Sequence, residues 1–242
     1  MATNDNAATF IELYNRLERL IRREYPDIPA DKGAIAVAAR QKPSFARMRE
    51  ELDYCREVRN LLQHSSRVGG ETLVSPSNAL IDVLKRAINT IEKPKVARGI
   101  CTRKADILYA EPQGSVRAVL EEMSRRSYTH VPVLDDGRVV GVFSANTLLA
   151  YIFGEGAQDV DLATALDGAT FAQFGDLLAL NSGVAGAFAF VAEDANAYEV
   201  AELFQQALRR QQRLMMLFVT AHGKQTERLL GIITAWDMAG FF

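Results

Sequence analysis

Phe10, Leu13, Leu17, Leu20 and Ile21 recur at steps of one, three and four residues, and Glu12, Arg16, Glu18, Arg19, Arg22 and Arg23 fill the positions between them. One apolar stripe and one charged face predict an amphipathic helix, ended by Pro26 and Pro29. Phe45, Met48, Leu52, Cys55 and Leu62 predict a second helix, running from near Ser44 towards Ser65 and broken off by Gly69-Gly70. A third begins after Ser75-Pro-Ser77 and keeps Leu80, Ile81, Leu84, Ile88 and Ile91 on one face. Beyond residue 100 the rhythm changes. Short apolar runs bounded by turn residues, Asp106–Ala110, Thr129–Leu134, Phe188–Ala192 and Leu214–Thr220, read as strands. Helical stretches, Ser115 to Arg126 and about Tyr198 to Arg210, lie between them. The chain is therefore expected to be two domains: an all-α bundle, then an α/β unit.

The second part contains an internal repeat. Gly141-Val-Phe-Ser144-Ala-Asn-Thr147 recurs 90 residues later as Gly231-Ile-Ile-Thr234-Ala-Trp-Asp237. Each copy is a glycine, two apolar residues, a hydroxyl residue, and a polar residue three positions on. The pattern predicts a buried strand whose last residue caps a helix. It aims a hydroxyl, a side chain one turn later and free helical N–H groups at one spot, which suits anions and sugar hydroxyls. The flanking order, strand, helix, strand, hairpin, strand, helix, is the same in both halves. Asp135-Asp-Gly137 makes the first hairpin turn, and a longer loop from His222 to Arg228 makes the second.

On the phrases Tyr128-Thr-His-Val-Pro-Val-Leu134 and Gly231-Ile-Ile-Thr-Ala-Trp-Asp237, residues 100–242 resemble a tandem pair of CBS domains, a Bateman module. The resemblance implies repeats at about 100–153 and 187–242, packed pseudo-symmetrically, with clefts that bind adenosine compounds such as AMP, ADP, ATP or S-adenosylmethionine. Carried over by position, Asp237 would hold ribose hydroxyls, and Thr234 and Ser144 would lie near ribose or phosphate. Thr147 stands where the ribose acid is expected, and a hydroxyl cannot match the accepting capacity of a carboxylate. His130 would either reach a phosphate or be a satisfied structural residue of its strand. Thr234 and Asp237 have a plainer reading too, as an N-cap and a first-turn acid. Two departures stand out: Phe218 replaces the proline found at Pro132, and Gly154 to Gly186 is a longer linker than the pattern needs.

The heptad rhythm of the second helix places Arg59 on its apolar seam. A guanidinium there is costly unless it is paired, with a neighbour such as Glu18, or opens onto a groove. It begins the string Arg59-Asn60-Leu-Leu-Gln-His64. Asn60 and His64 share a helix face, whereas Arg59 and His64 are about 140° apart and converge only near a frayed end or through a second subunit. A helix C-terminus also stabilises imidazolium, so His64 has a structural reading as well. Arg, a polar residue and a later His, together with Phe10–Glu18, resemble the HEPN superfamily over residues 5–95. That resemblance implies either a metal-independent endoribonuclease working as a dimer on single-stranded RNA or an inactive dimerisation domain. In the first case His64 would be general acid or base, Arg59 would neutralise charge on the phosphorane, and Asn60 would orient His64 or the phosphate.

Composition narrows the picture. At 242 residues the chain allows one or two domains, and with 48% apolar content it can bury a substantial core. Cys55 and Cys101 give neither a metal spacing nor a disulfide framework, so no metal site and no required cofactor are expected. No leader-like segment opens the chain, and the run Leu177–Ala192 is too broken to span a membrane, so a cytoplasmic setting is expected. Residues 1–98 carry 17 Lys and Arg against 13 Asp and Glu, and residues 99–242 carry 11 against 17. The mildly basic first part tolerates an RNA partner. The charge changes sign at an interdomain linker, Lys93 to Arg98, which leaves 1–95 as the helical domain and 96–99 as connector. The resulting expectation is a homodimeric or higher regulator. In it, a CBS pair senses an adenosine nucleotide and a HEPN-like domain cuts RNA, or the whole serves only binding and dimerisation.

Overall fold

The structure, a computed structural model, describes residues 5–64, 75–154 and 166–239. The chain divides into two compact units, Met1–Lys95 and Val96–Phe242.

The first unit is helical: α1 Asp5–Glu24, α2 Ala34–Gln41, α3 Pro43–Ala46, α4 Arg49–His64 and α5 Asn78–Glu92. Phe10, Leu17, Ile21, Phe45, Leu52, Cys55 and Leu84 form its centre. Ser77 caps α5 by accepting from the Leu80 N–H, and Ile81, Leu84 and Ile88 are buried along its inner face. Two corrections concern the second predicted helix. It starts at Arg49, because Pro43 opens a separate turn that closes with Met48 N–H donating to Phe45 C=O at 2.9 Å. A further short helix, α2, precedes it and buries Ala34, Ile35, Ala38 and Ala39. Gly69 and Gly70 lie outside the described residues.

The second unit runs α6 Ala97–Ile100, β1 Thr102–Arg103, α7 Val116–Arg126, β2 His130–Asp135, β3 Arg138–Ser144, α8 Ala145–Phe153, a 3₁₀ segment Phe171–Leu178, β4 Ala187–Ala192, α9 Ala197–Arg209, β5 Leu214–Thr220 and β6 Gly231–Ile233. β2 and β3 form an antiparallel hairpin. Its turn needs left-handed backbone at Asp136 (φ 45°) and Gly137 (φ 76°), as a two-residue primed turn does. The other sheet has the order β1-β6-β5-β4, with β4 and β5 parallel and the other pairs antiparallel. The expected strand Asp106–Ala110 shrinks to a single parallel bridge, Ala110 to Val133.

Strands β2 and β5 are apolar on both faces. Val131 and Val133 face a core with Val116, Phe143 and Phe171. Leu217 and Val219 face a second core with Val200 and Phe204. The alternate residues, Leu134 and Val142 from one sheet and Met216 and Phe218 from the other, meet in a shared layer. Alternation along a strand sends successive side chains to opposite faces, so each sheet packs on helices one way and on its partner sheet the other.

Three expected boundaries change. Residues 96–99 are not a free connector: Ala97 is fully buried, and its N–H donates to Ala195 C=O at 2.8 Å. β1 lies at the start of the expected first repeat, yet it pairs with β6 of the second, Thr102 opposite Ile232. The long linker is partly core, because Phe171 and Phe174 set their rings edge-on against Phe143 at 5.1 and 5.3 Å.

Both motif glycines sit where another backbone crosses. A Cβ at Gly141 would lie 2.5 Å from Leu178 O, and one at Gly231 would lie 2.5 Å from Thr102 O. Gly141→Ala and Gly231→Ala should therefore each cost about 1–3 kcal/mol, read as a lower urea midpoint. Gly99→Ala, whose Cβ would meet nothing within 4 Å, should not. Equal midpoints for all three would contradict the account of these close approaches.

Candidate functional site

A cleft of about 450 Å³ opens where the two sheets of the second unit meet. The loop Ser127–His130 leads into β2, Leu214–Met216 open β5, and Ile232 to Asp237 leave β6. Its apolar lining includes Ile107, Leu108, Pro132, Met216 and Ile232. Two aromatics stand at its rim, Tyr128 at 42% exposed and Trp236 at 88%.

Thr234 and Asp237 meet in this cleft, but not as a simple N-cap. The carboxylate reaches back: Asp237 Oδ2 accepts from Thr234 N–H at 2.7 Å and from Thr234 Oγ1 at 2.8 Å. Residues 235–238 form a turn rather than the expected helix. The arrangement spends one carboxylate oxygen on shape, and the other has no partner among the described residues.

The first copy of the motif is closed. Ser144 caps α8 and Thr147 reciprocates: Thr147 N–H donates to Ser144 Oγ at 3.2 Å, and Ser144 N–H to Thr147 Oγ1 at 3.2 Å. The two hydroxyls bond each other at 3.0 Å. Both side chains are buried, Ser144 at 2% and Thr147 at 0% exposed. The structure thus puts Ser144 out of reach of a ligand. At the corresponding end of the first repeat, a smaller hollow of about 350 Å³ is lined by Asn146, Gly183, Ala185 and Arg213.

His130 lines both hollows. Its Nε2 lies 2.9 Å from Ala185 C=O and its Nδ1 lies 2.8 Å from Thr129 Oγ1. Both contacts are met by a neutral ring with the proton on Nε2. Burial pushes the imidazole below its ordinary value, against the opposing pull of the Ala185 carbonyl. Neither ring nitrogen is left for a phosphate. His222 in the second hairpin loop bonds Glu227 at 2.8 Å. Its backbone N–H, donating to the same carboxylate, leads the contacts that hold Glu227 down at about 2.

In the first unit, Arg59 lies half-buried with its guanidinium 5.6 Å from the Tyr14 ring centre. It reaches Asn60 Oδ1 only at 3.5 Å, and its buried Nε has no hydrogen-bond partner among the described residues. Glu18, the expected partner, pairs with Arg22 at 3.4 Å instead. Burial raises the Tyr14 phenol above its ordinary value, and Glu18 adds to this while Arg59 opposes it. His64 ends α4, and its side chain lies outside the described residues. Burial likewise pushes the Cys55 thiol up to about 12, which leaves it inert. Among the described residues no group of His, Cys, Asp and Glu could hold a metal ion, and no helix is long and apolar enough to cross a membrane.

Sequence reading missed Tyr128, Trp236, Asp106, Met215 and Met216 as lining residues. Two of them lay inside the quoted motifs. The available signal was Trp236 itself, a large aromatic in a polar turn.

Residues 97–154 match the family model of the CBS domain, so the chain carries a CBS domain there. It is 26% identical over 108 residues to an uncharacterized protein of Methanocaldococcus jannaschii, covering 42% of this chain and 37% of that one. The chain therefore spans little more than a third of that relative's length. Solved structures similar to it include a CBS-pair protein from Arabidopsis thaliana, 21% identical with TM-score 0.42, covering 61% of this chain and 94% of that one. Another is the CBS domain of a bacterial CNNM/CorC family Mg2+ transporter in complex with ATP, 22% identical with TM-score 0.40, covering 64% and 89%.

The His130 contacts generate a pH prediction. Its folded value lies below that of the unfolded chain, about 6.5, so the unfolded chain takes up the proton first. Stability is then complete above about pH 6.5 and falls as pH drops from there through the folded value. Glu227 acts lower, its contribution being lost only below about pH 4.3. Between about pH 7.5 and 5.5 the urea midpoint of the wild type should fall, and that of His130→Gln should fall less. Parallel losses in both proteins would show that His130 is not the titrating group.

Proposed function

We propose that the second unit is a sensor for an adenosine compound, held in the cleft between its two sheets. The observation that carries this reading is Asp237. One of its oxygens is pinned on Thr234 and the other is without a partner among the described residues, at the wall of a cleft with an apolar floor and aromatic rim. A carboxylate held in this way accepts from both hydroxyls of a ribose. The planar base has an apolar slot to enter, and stacking on an aromatic contributes about 1–3 kcal/mol. The slot has the volume and the mixed lining typical of small-molecule sites.

Trp236 is the chain's one tryptophan, so its fluorescence reports on this cleft alone. Adenosine compounds should quench it saturably. Asp237→Asn should weaken binding about tenfold or more, because hydrogen bonds to charged groups contribute about 1.5–3 kcal/mol. Ser144→Ala should leave affinity unchanged and cost about 1 kcal/mol of stability as a lost cap. Equal affinity in wild type and Asp237→Asn would remove the assignment.

The first unit supports a second reading, on the single observation that the buried Arg59 Nε has no partner among the described residues. We infer that Arg59, with Asn60 and His64, addresses an RNA phosphate in a homodimer, as the HEPN resemblance implies. Leu149, Phe153 and Leu208 leave apolar side chains exposed on helices of the second unit, which suits self-association. Light scattering should then give about twice 26.7 kDa. The protein should cut single-stranded RNA in EDTA, and His64→Ala and Arg59→Ala should each remove most cleavage, by about 10²–10⁴-fold. Cleavage that survives in folded, dimeric single variants would refute the nuclease. A wild type that cuts nothing would leave Arg59 a structural cation over Tyr14, and Arg59→Met would then be tolerated.

A further inference from the structure

The charge of the cleft wall narrows the ligand. Among the described residues lining it there is no Lys or Arg, while two carboxylates, Asp106 and Asp237, are present. Nearby cations are engaged or directed elsewhere. Lys104 lies over the Tyr109 ring, 5.5 Å from its centre. Arg126 is engaged by Tyr128 at the rim and by Glu122 at 2.9 Å. Arg213 lines the hollow beside Asn146 and a second one walled by Phe204, Leu208 and Met215. Arg103 follows the lining residue Thr102 on β1, so its side chain leaves from the opposite face. The residues of this unit outside the description, 155–165 and 240–242, contain no Lys or Arg either. His130 offers no free ring nitrogen, since both are bonded.

The remaining lining is soft and aromatic: Met215, Met216, Tyr128 and Trp236. Aromatic faces attract cations, and thioether sulfur accepts apolar or polarizable groups. A 5′-phosphate chain carries concentrated negative charge. Such chains are ordinarily met by Arg, Lys, a metal or a helix N-terminus, and here they would face two carboxylates instead. A ligand with an uncharged or positive 5′ substituent meets a complementary wall.

We propose that this cleft selects adenosine compounds whose 5′ substituent is uncharged or cationic, a sulfonium being the cationic case, and discriminates against 5′-phosphates. The proposal rests on the adenosine reading of the same cleft.

The test is calorimetry on the full chain at low salt with four probes: adenosine, S-adenosylmethionine, AMP and ATP. Adenosine and S-adenosylmethionine should bind more tightly than AMP, and AMP more tightly than ATP, with ATP weakest by about tenfold or more. Asp106→Lys should raise the affinity for ATP relative to S-adenosylmethionine by about tenfold, and added salt should shrink that gain. An affinity for AMP or ATP equal to or above that for adenosine would overturn the charge selection while leaving the adenosine site standing. An unchanged ratio in Asp106→Lys would also overturn it. Absence of binding by all four probes would instead sink the adenosine reading, and this proposal with it.

Discussion

The layer shared by the two sheets of the second unit is what the rest depends on. Leu134, Val142, Met216, Phe218 and Leu229 are each at most 4% exposed, and they come from both repeats. Burial of apolar area on this scale is the main favourable term in folding. It requires β2 and β5 to be apolar on both faces. It also explains Phe218 at the position where the first repeat has Pro132. The ring stacks on Phe188 at 5.8 Å and meets Phe190 at 5.2 Å, filling the centre of the layer. The cleft lies where this layer runs out. Met216 belongs to the layer, Ile107 and Ile232 pack against it, and all three line the cleft. The floor of the site is therefore the end of the core, a rigid surface.

Duplication supplies two such ends, and the sequence has made them unlike. In the first, Thr147 and Ser144 satisfy each other and the helix start, so the polar groups are consumed and buried. In the second, a carboxylate performs the same bridging with one oxygen and keeps another. Of the differences between the two copies, Thr147 against Asp237 is the one that turns a closed capping box into an acceptor with an oxygen to spare. The wall around that acceptor is acidic and aromatic, which shapes what can enter.

The repeat, the Asp136-Gly137 hairpin turn, the long amphipathic helices and the meeting of Thr234 with Asp237 were legible because each follows from local periodicity or local backbone chemistry. What escaped was non-local. The pairing of β1 with β6, and the folding of Phe171 and Phe174 into the first repeat's core, depend on contacts distant in sequence that no short window contains. The α2 helix was missed because its buried face is mostly alanine, a weak apolar signal over eight residues. Residues 235–238 form a turn and not the expected helix, although Asp237 closes on Thr234 as Thr147 closes on Ser144 at the start of α8. The lining role of Tyr128 and Trp236 needed the two repeats brought together, although each residue stood within a motif.

A crystal structure of the full chain grown with adenosine tests the central claim most directly. The account predicts the base in the cleft beside Tyr128 and Trp236, with both ribose hydroxyls within hydrogen-bond distance of Asp237 and Ser144 still buried against Thr147. Adenosine seated instead in the hollow beside Asn146 and Arg213, or a cleft with no ligand at saturating adenosine, would contradict it.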